Sequence, residues 1–293
     1  MRNIYLLVAT AILFAFASCN KTLKLDSVDL GVTTASTSYN AGDTVNFMFS
    51  GQPDMITFYS GEPGHNYQYR ERTIAQGSLQ VQFTSYAQYG SQDSTLHLLA
   101  STDFNGNYDS ADIYKATWTD VTGQAILSTG TDTASGIIDI SADTAANKPV
   151  YFAFKYRGDT GTTQKTWTIT NFQMNLLLAD SSVTSVATMA NAGWKGVNIE
   201  NGAAVWSISS SQLKIAGGNA SAAANEDWVI TSPLITNKVS PDQGIAIKNI
   251  TQKLPEFSYI YTKPGSYNAT FVATSATADG VNTLVKTVPI TIK

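Results

Sequence analysis

The densest set of oxygen ligands in the sequence lies at near-alternate positions of one short segment. Its members carry carboxylate or amide side chains: Asp103, Asn105, Asn107, Asp109 and Asp112. Gly106 lies among them and permits a tight turn. Calcium takes several such oxygens from one loop, although the glutamate that closes an EF-hand loop is absent here. The spacing therefore predicts either a calcium loop or a polar hairpin rich in Asx turns, and it suggests no cofactor besides calcium.

The five tryptophans are the next candidates, because a flat indole can stack on the apolar face of a sugar ring. Trp118, Trp167 and Trp228 lie in alternating or apolar segments, which favours a structural role. Trp194 and Trp206 lie among Gly, Asn and Ser residues. These two are the better candidates for glycan binding, with burial in the core as the alternative.

Tyr67, Tyr69 and Arg70 extend the set of glycan-binding candidates. Tyrosine and arginine side chains suit sugar contacts, and they equally suit fixing the geometry of a domain junction. His97 lies in an apolar segment, so we expect it to be a core residue with its hydrogen bonds satisfied.

Several functional classes are excluded or disfavoured by composition. The net charge of −4 argues against nucleic-acid binding, which needs a basic surface. Two histidines and one cysteine exclude a disulfide framework and a cysteine-based zinc site. The sequence contains no Gly-x-Ser-x-Gly elbow, metalloprotease helix motif or phosphate loop. A glycosidase needs two carboxylates about 5–10 Å apart, which sequence alone cannot pair. We therefore expect a protein without catalytic activity.

The single cysteine, Cys19, follows a segment with the layout of a signal peptide. One arginine precedes an apolar run over residues 4–17, and small residues come directly before Cys19. This pattern resembles the bacterial lipobox, which implies cleavage before Cys19 and a lipid on its thiol; an ordinary secretory signal is the alternative. We expect residues 1–18 to be the signal peptide and residues 19–24 a tether. The predicted location is the outer membrane, lipid-anchored, at the cell surface.

The remaining chain has the pattern of an all-β protein. Apolar and polar residues alternate over 44–49, 79–83 and 166–172. The continuous apolar run Val150–Phe154 favours a strand that is buried on both faces. Gly, Asn, Asp and Pro punctuate the segments at intervals of about ten residues, which is typical of sandwiches and jelly rolls.

Two distant segments resemble the two ends of one PKD (polycystic-kidney-disease) repeat. Tyr39–Phe47, with its Gly-Asp turn and Val-x-Phe strand, resembles the opening of such a repeat. Phe257–Ala273, an aromatic strand followed by a Pro-Gly turn and an alternating strand, resembles the close. The resemblance implies one Ig-like β-sandwich over residues 25–69 plus 248–293, because strands of about five residues cannot stand alone.

The intervening residues 70–247 are long enough for an inserted jelly roll. Leu96–Asp103 followed by Ala116–Asp120 resembles the choice-of-anchor modules of secreted bacterial proteins, which are related to carbohydrate-binding modules. Gly193–Leu234 resembles the usual first half of that module, so the order implies a circular permutation. The whole pattern resembles a Bacteroidetes surface lipoprotein family of unknown function.

Anchor, jelly roll and abundant aromatic residues together predict a surface glycan-binding lipoprotein. Its partner would be a polysaccharide or oligosaccharide, and it would act beside an outer-membrane import complex. An adhesive or structural protein with a protein partner is the alternative, and a glycan hydrolase is the third. An exposed aromatic platform on the jelly roll, with polar groups at its rim, would favour glycan. A broad apolar patch or a bare strand edge would favour a protein partner, and two facing carboxylates in a cleft would favour the hydrolase.

Overall fold

The computed structural model describes residues 27–143, 148–278 and 280–293. These residues form β-strands with one short α-helix, which confirms the predicted all-β sandwich class. They divide into two compact units. The split unit combines the described residues up to Arg70 with Asp242–Lys293, and the inserted unit is Glu71–Pro241. The predicted signal peptide, the tether and Cys19 lie outside the described residues.

The split unit contains eight strands and a 3-10 helix at Tyr67–Tyr69 within its described residues. The strands are β1 Gly31–Thr33, β2 Ser38–Tyr39, β3 Thr44–Ser50, β4 Met55–Tyr59, β17 Ile245–Lys248, β18 Glu256–Ile260, β19 Gly265–Thr277 and β20 Gly280–Ile292. One sheet has the order β1-β3-β18, and the other has the order β17-β4-β19-β20-β2.

The core of the split unit lies between these two sheets. Alternation along β3 buries Val45 and Phe47, while its neighbouring side chains are exposed. Phe58 of β4 and Phe271 of β19 pack against Phe47, with ring centroids 5.8 Å and 5.0 Å away. The turn before β3 depends on Gly42, whose φ of 89° favours glycine. Strand residues from both ends of the chain therefore share one apolar core.

The inserted unit contains twelve strands within its described residues, the α-helix α1 Ser110–Lys115, and 3-10 helices at Thr122–Gln124 and Ser141–Asp143. The strands are β5 Gly77–Gln88, β6 Leu96–Ser101, β7 Thr119–Asp120, β8 Thr133–Ala134, β9 Ile138–Asp139, β10 Tyr151–Gly158, β11 Thr166–Leu178, β12 Val183–Thr188, β13 Lys195–Glu200, β14 Ser207–Ile208, β15 Gln212–Ile215 and β16 Asn225–Ile230.

The strands of the inserted unit form two sheets around its main core. The five-stranded sheet has the order β13-β16-β10-β6-β7. The larger sheet has the order β14-β15-β11-β5-β8, with β12 paired to β11 and β9 paired to β5. Inward-facing residues of both sheets, such as Leu98 and Ile169, belong to one apolar cluster.

The outer face of the five-stranded sheet is also partly covered. Along β10, Phe152 and Phe154 enter the main core, whereas Tyr151 and Ala153 belong to a second cluster on the opposite face. Residues from the loop around α1, including Phe104, complete that second cluster. The predicted strand with both faces buried is therefore confirmed, because the sheet has packing partners on both sides.

Within the described ranges, no helix is both long and apolar enough to cross a membrane.

Candidate functional site

The two tryptophans chosen as glycan platforms lie in the core of the inserted unit. Trp194 is 9% exposed and Trp206 is 6% exposed. The Trp194 ring contacts Phe154 and Phe172, with centroids 5.7 Å and 4.9 Å away. The indole N–H of Trp206 donates to the backbone oxygen of Asp227 at 3.2 Å. Because neither indole face is open, the core alternative holds for both residues.

The three junction candidates lie in or next to one short helix of the split unit, where Tyr67 and Arg70 contact each other. Tyr67 and Tyr69 bound the short 3-10 helix, and Arg70 follows it. The Arg70 guanidinium lies 4.1 Å from the centroid of the Tyr67 ring and donates to the Tyr67 carbonyl at 3.1 Å. Tyr59 packs edge-on against the same tyrosine at 5.4 Å. These contacts occupy the Tyr67 ring, which a stacked sugar would need.

The proposed calcium segment contains the cap of α1. Asp109 is the N-cap residue, and its Oδ1 accepts from the backbone N–H of Asp112 at 2.9 Å. The Asn107 side-chain amide donates to Asp109 at 2.7 Å and to Asp112 at 2.6 Å. An amide nitrogen therefore lies between the two carboxylates.

The other members of the segment are also engaged in local hydrogen bonds. Asn105 Oδ1 accepts from the Asn107 backbone at 2.8 Å, which is an Asx turn. Asp103 accepts from the Thr117 backbone at 2.8 Å and from the Ser101 hydroxyl at 2.9 Å. Among the described residues, no three His, Cys, Asp or Glu side chains are grouped to hold a metal. The geometry is that of the Asx-turn alternative, and calcium binding stays a prediction.

A cleft of about 440 Å³ opens in the inserted unit around the start of β6. This volume lies within the usual range of small-molecule sites. The lining combines hydroxyl, charged and apolar side chains: Ser94, Thr95, Leu96, His97, Asp120, Thr122, Leu127, Ser128, Thr129, Lys165 and Trp167. The cleft therefore offers a dense set of hydrogen-bonding groups beside one aromatic residue.

His97 lies on the outer face of the sheet, and its side chain is 31% exposed rather than buried. Leu96 and Leu98 enter the core on either side of it, so alternation directs His97 outward. Its Nδ1 is 3.0 Å from an Asp120 carboxylate oxygen, and its Nε2 is 3.1 Å from the Ser94 carbonyl oxygen. Both ring nitrogens therefore lie within hydrogen-bonding distance of an oxygen acceptor. The expectation of a core histidine is corrected accordingly.

The hydrogen bonds around Asp120 favour its charged carboxylate form. Partial burial raises its pKa, but hydrogen bonds from Thr122 and His97 outweigh that effect and leave the pKa below its ordinary value. The Thr122 backbone N–H donates to Asp120 at 2.8 Å, while the Thr122 hydroxyl accepts from the Leu98 backbone at 2.8 Å. Asp120 and Thr122 are thus positioned by the strand pair β6–β7.

Trp167 of β11 and Lys165, directly before that strand, also line the cleft. Trp167 is only 3% exposed, which confirms its predicted burial, and its N–H donates to the Thr95 hydroxyl at 2.9 Å. The Lys165 ammonium lies 3.7 Å from a carboxylate oxygen of Asp93. The side chain of Lys165 is 21% exposed and that of Asp93 is 97% exposed. Lys165 therefore faces a carboxylate that is almost completely in solvent.

Next to the cleft, a charged network crosses the outer face of the same sheet. Lys155 of β10 is the register partner of His97 on one side and of Trp228 on the other. Its ammonium lies 3.1 Å from Glu226, which also accepts from Tyr114 at 2.6 Å and from the Trp228 indole at 3.0 Å. Burial raises the pKa of Glu226, but these hydrogen bonds and Lys155 hold it below the ordinary value. Glu226 is therefore a fixed structural anion.

Residues 18–194 match the family model described as domain of unknown function DUF5017. The chain belongs to the DUF5017 family. No curated protein and no solved structure matches it significantly. The matched range contains the cleft residues His97, Asp120, Lys165 and Trp167, whereas Glu226 and Trp228 lie beyond it.

Within this DUF5017 protein, the cleft is the feature that sequence reasoning missed. Its lining comes from segments around residues 94–97, 120–129 and 165–167, which no motif connects. One signal was present in the sequence: His97 stands between two leucines in an alternating strand, which directs it to the face opposite the core. The partners that surround it follow from strand pairing in the fold.

Proposed function

We propose that this DUF5017 protein is a non-catalytic glycan-binding protein of the bacterial cell envelope, and that the cleft at the start of β6 holds the sugar. One observation carries the proposal: in a cleft of about 440 Å³, the lining presents the hydroxyl side chains of Ser94, Thr122 and Thr129, which are exposed or half-buried, beside the buried, hydrogen-bonded Thr95 and Ser128. Sugar hydroxyls need donors and acceptors at short spacing, which serine and threonine supply in both roles. A concave site with several convergent polar groups is the usual form of a small-ligand site.

The chemistry of the cleft supports binding without catalysis. Ser94 presents its carbonyl oxygen to His97, so this contact does not link a hydroxyl nucleophile to a base. The register partners Glu200 and Glu226 are the carboxylates that a hydrolase could use, but Glu226 is engaged by Tyr114, Trp228 and Lys155. The hydrolase alternative therefore has weaker support than binding.

The envelope location rests on the N-terminal sequence. The lipobox-like segment before Cys19 supports a lipid anchor in the outer membrane, with the described units at the cell surface. The resemblance to Bacteroidetes lipoproteins, with PKD-like halves around a choice-of-anchor-like jelly roll, supports the same assignment. In such a setting the glycan would be a polysaccharide fragment handed to an outer-membrane import complex.

Glycan arrays and affinity electrophoresis on the chain from residue 20 onward test the proposal. We expect Asp120→Ala to weaken retardation by the bound polysaccharide, because it removes a cleft acceptor and releases His97. Asp132→Ala removes an exposed carboxylate outside the cleft and serves as the matched control. Absence of retardation by every polysaccharide, or equal effects of both substitutions, would contradict the assignment.

A protein partner is the second candidate function, and one feature of the split unit favours it. β20 pairs with β19 along its whole length, but on its other side β2 pairs only with Thr291 and Ile292. Among the described residues, positions 283–288 therefore have no paired strand on the outer side. Val281 is 62% exposed and Val285 is 37% exposed on this edge. An open edge can accept a strand from a partner.

A further inference from the structure

The balance of charge inside the cleft bears on the kind of glycan that fits it. Asp120 is the carboxylate among the lining residues, and the His97 ring already lies against it. Lys165 adds a cation to the same lining. The carboxylate of the lining is therefore engaged by His97, whereas the ion pair of Lys165 is with Asp93, which is not part of the lining.

The surroundings of Lys165 leave its ammonium available to a ligand. Its distance of 3.7 Å from Asp93 exceeds an ordinary hydrogen bond, and Asp93 is 97% exposed. An ion pair with a carboxylate this exposed contributes little, because water screens it and the side chain loses entropy. A carboxylate held inside the cleft would be less solvated and would interact more strongly with Lys165.

We propose that the cleft selects an acidic sugar, and that the acid group of the ligand replaces Asp93 at the Lys165 ammonium. This inference rests on the proposed glycan-binding function and specifies its substrate class. The hydroxyls of Ser94, Thr122 and Thr129 would hydrogen-bond to the neutral hydroxyls of the sugar, while Lys165 supplies the charge discrimination. An ammonium recognises a carboxylate or a sulfate as a point charge, so uronic acids and sulfated sugars share the required chemistry.

Titration calorimetry with three oligosaccharides of equal length tests this inference: an oligogalacturonide, its neutral galactose counterpart and a sulfated galacto-oligosaccharide. We expect the wild-type chain to bind an acidic ligand more tightly than the neutral one, and to lose that preference at high salt. The uronate and sulfate arms identify which acid group is recognised. A charge-assisted hydrogen bond of this kind corresponds to a preference of about tenfold to hundredfold.

Two lysine variants and one aspartate variant test whether the preference for an acidic ligand depends on Lys165. Lys165→Met should remove the preference for the acidic ligand over the neutral one, whereas Lys214→Met, exposed on β15, should leave that preference as in wild type. Asp93→Asn should strengthen binding of the acidic ligand, because it removes the competing carboxylate. Equal affinity for acidic and neutral ligands would overturn this inference and retain the proposed function. Absence of binding to all three oligosaccharides would also overturn this inference, while the glycan array decides the proposed function separately.

Discussion

The rings of Phe47 and Phe271 lie edge to face with centroids 5.0 Å apart, although the whole inserted unit separates them in the sequence. Phe47 belongs to β3 and Phe271 to β19, and both are completely buried. Their contact joins the two sheets of the split unit. The core of this unit therefore depends on both ends of the chain, and its folding must close a long loop.

Truncating one member of this pair should destabilise the split unit strongly. We expect Phe271→Ala to lower the free energy of unfolding by about 3–5 kcal/mol, because it leaves a cavity between the sheets. Val281→Ala, on an exposed position of β20, should change it by less than about 1 kcal/mol. Urea unfolding followed by fluorescence measures both values. Similar losses for the two variants would contradict the assigned core.

Substitution of Trp194 should reduce the stability of the inserted unit rather than act directly on ligand binding. The ring packs between Phe154 and Phe172, so Trp194→Ala should cost about 3–5 kcal/mol of unfolding free energy. Trp194→Phe keeps most of the volume and removes the buried indole N–H, which has no partner, so it should cost much less. Thermal unfolding of both variants checks the ranking. A stable Trp194→Ala variant with lost glycan affinity would restore the original platform hypothesis.

Asp227 should make the inserted unit less stable as the pH rises towards 8. Burial raises its pKa from the ordinary 3.8 to about 7, against the lowering effect of hydrogen bonds from Asn198 and Asn225. Because the folded-state pKa lies above the unfolded value, its contribution is complete below about pH 4 and is lost as the pH rises through about 7. The Tm difference between pH 5 and pH 8 should be smaller in Asp227→Asn than in wild type. Asp132→Asn, an exposed control, should behave like wild type.

Asp109 should stabilise the protein as a helix cap whether or not calcium is present. We expect Asp109→Ala to cost about 1 kcal/mol, because the first turn of α1 loses an acceptor for the Asp112 N–H. Chemical unfolding with calcium and with a chelator measures this cost under both conditions. A loss that occurs only with calcium would establish the calcium loop instead.

Cys19 should determine whether the protein remains with the membrane. Lipidation requires its thiol, so Cys19→Ser should move the protein from the membrane fraction to the soluble fraction of the cell. Ser18→Ala keeps a small residue before the cysteine and serves as the control. Membrane association that survives Cys19→Ser would exclude the lipid anchor.

The class of the fold and part of the core can be predicted from local sequence patterns. Period-two alternation over residues 44–49 and 166–172 corresponds to β3 and β11, because strand side chains alternate between two faces. The predicted burial of Trp167 and Trp228 is confirmed for the same reason, since both lie on strand faces that pack against apolar residues. Local patterns of this kind depend on neighbouring residues alone.

The position of the cleft follows from tertiary contacts between segments that lie far apart in the sequence. His97, Asp120 and Lys165 line one cleft because β6, β7 and the residues at the start of β11 come together in the folded unit. Trp194 and Trp206, set among small polar residues in the sequence, are covered by strands and loops distant in the chain. Burial and cleft formation depend on which segments pair and pack, and no single stretch of sequence contains that information.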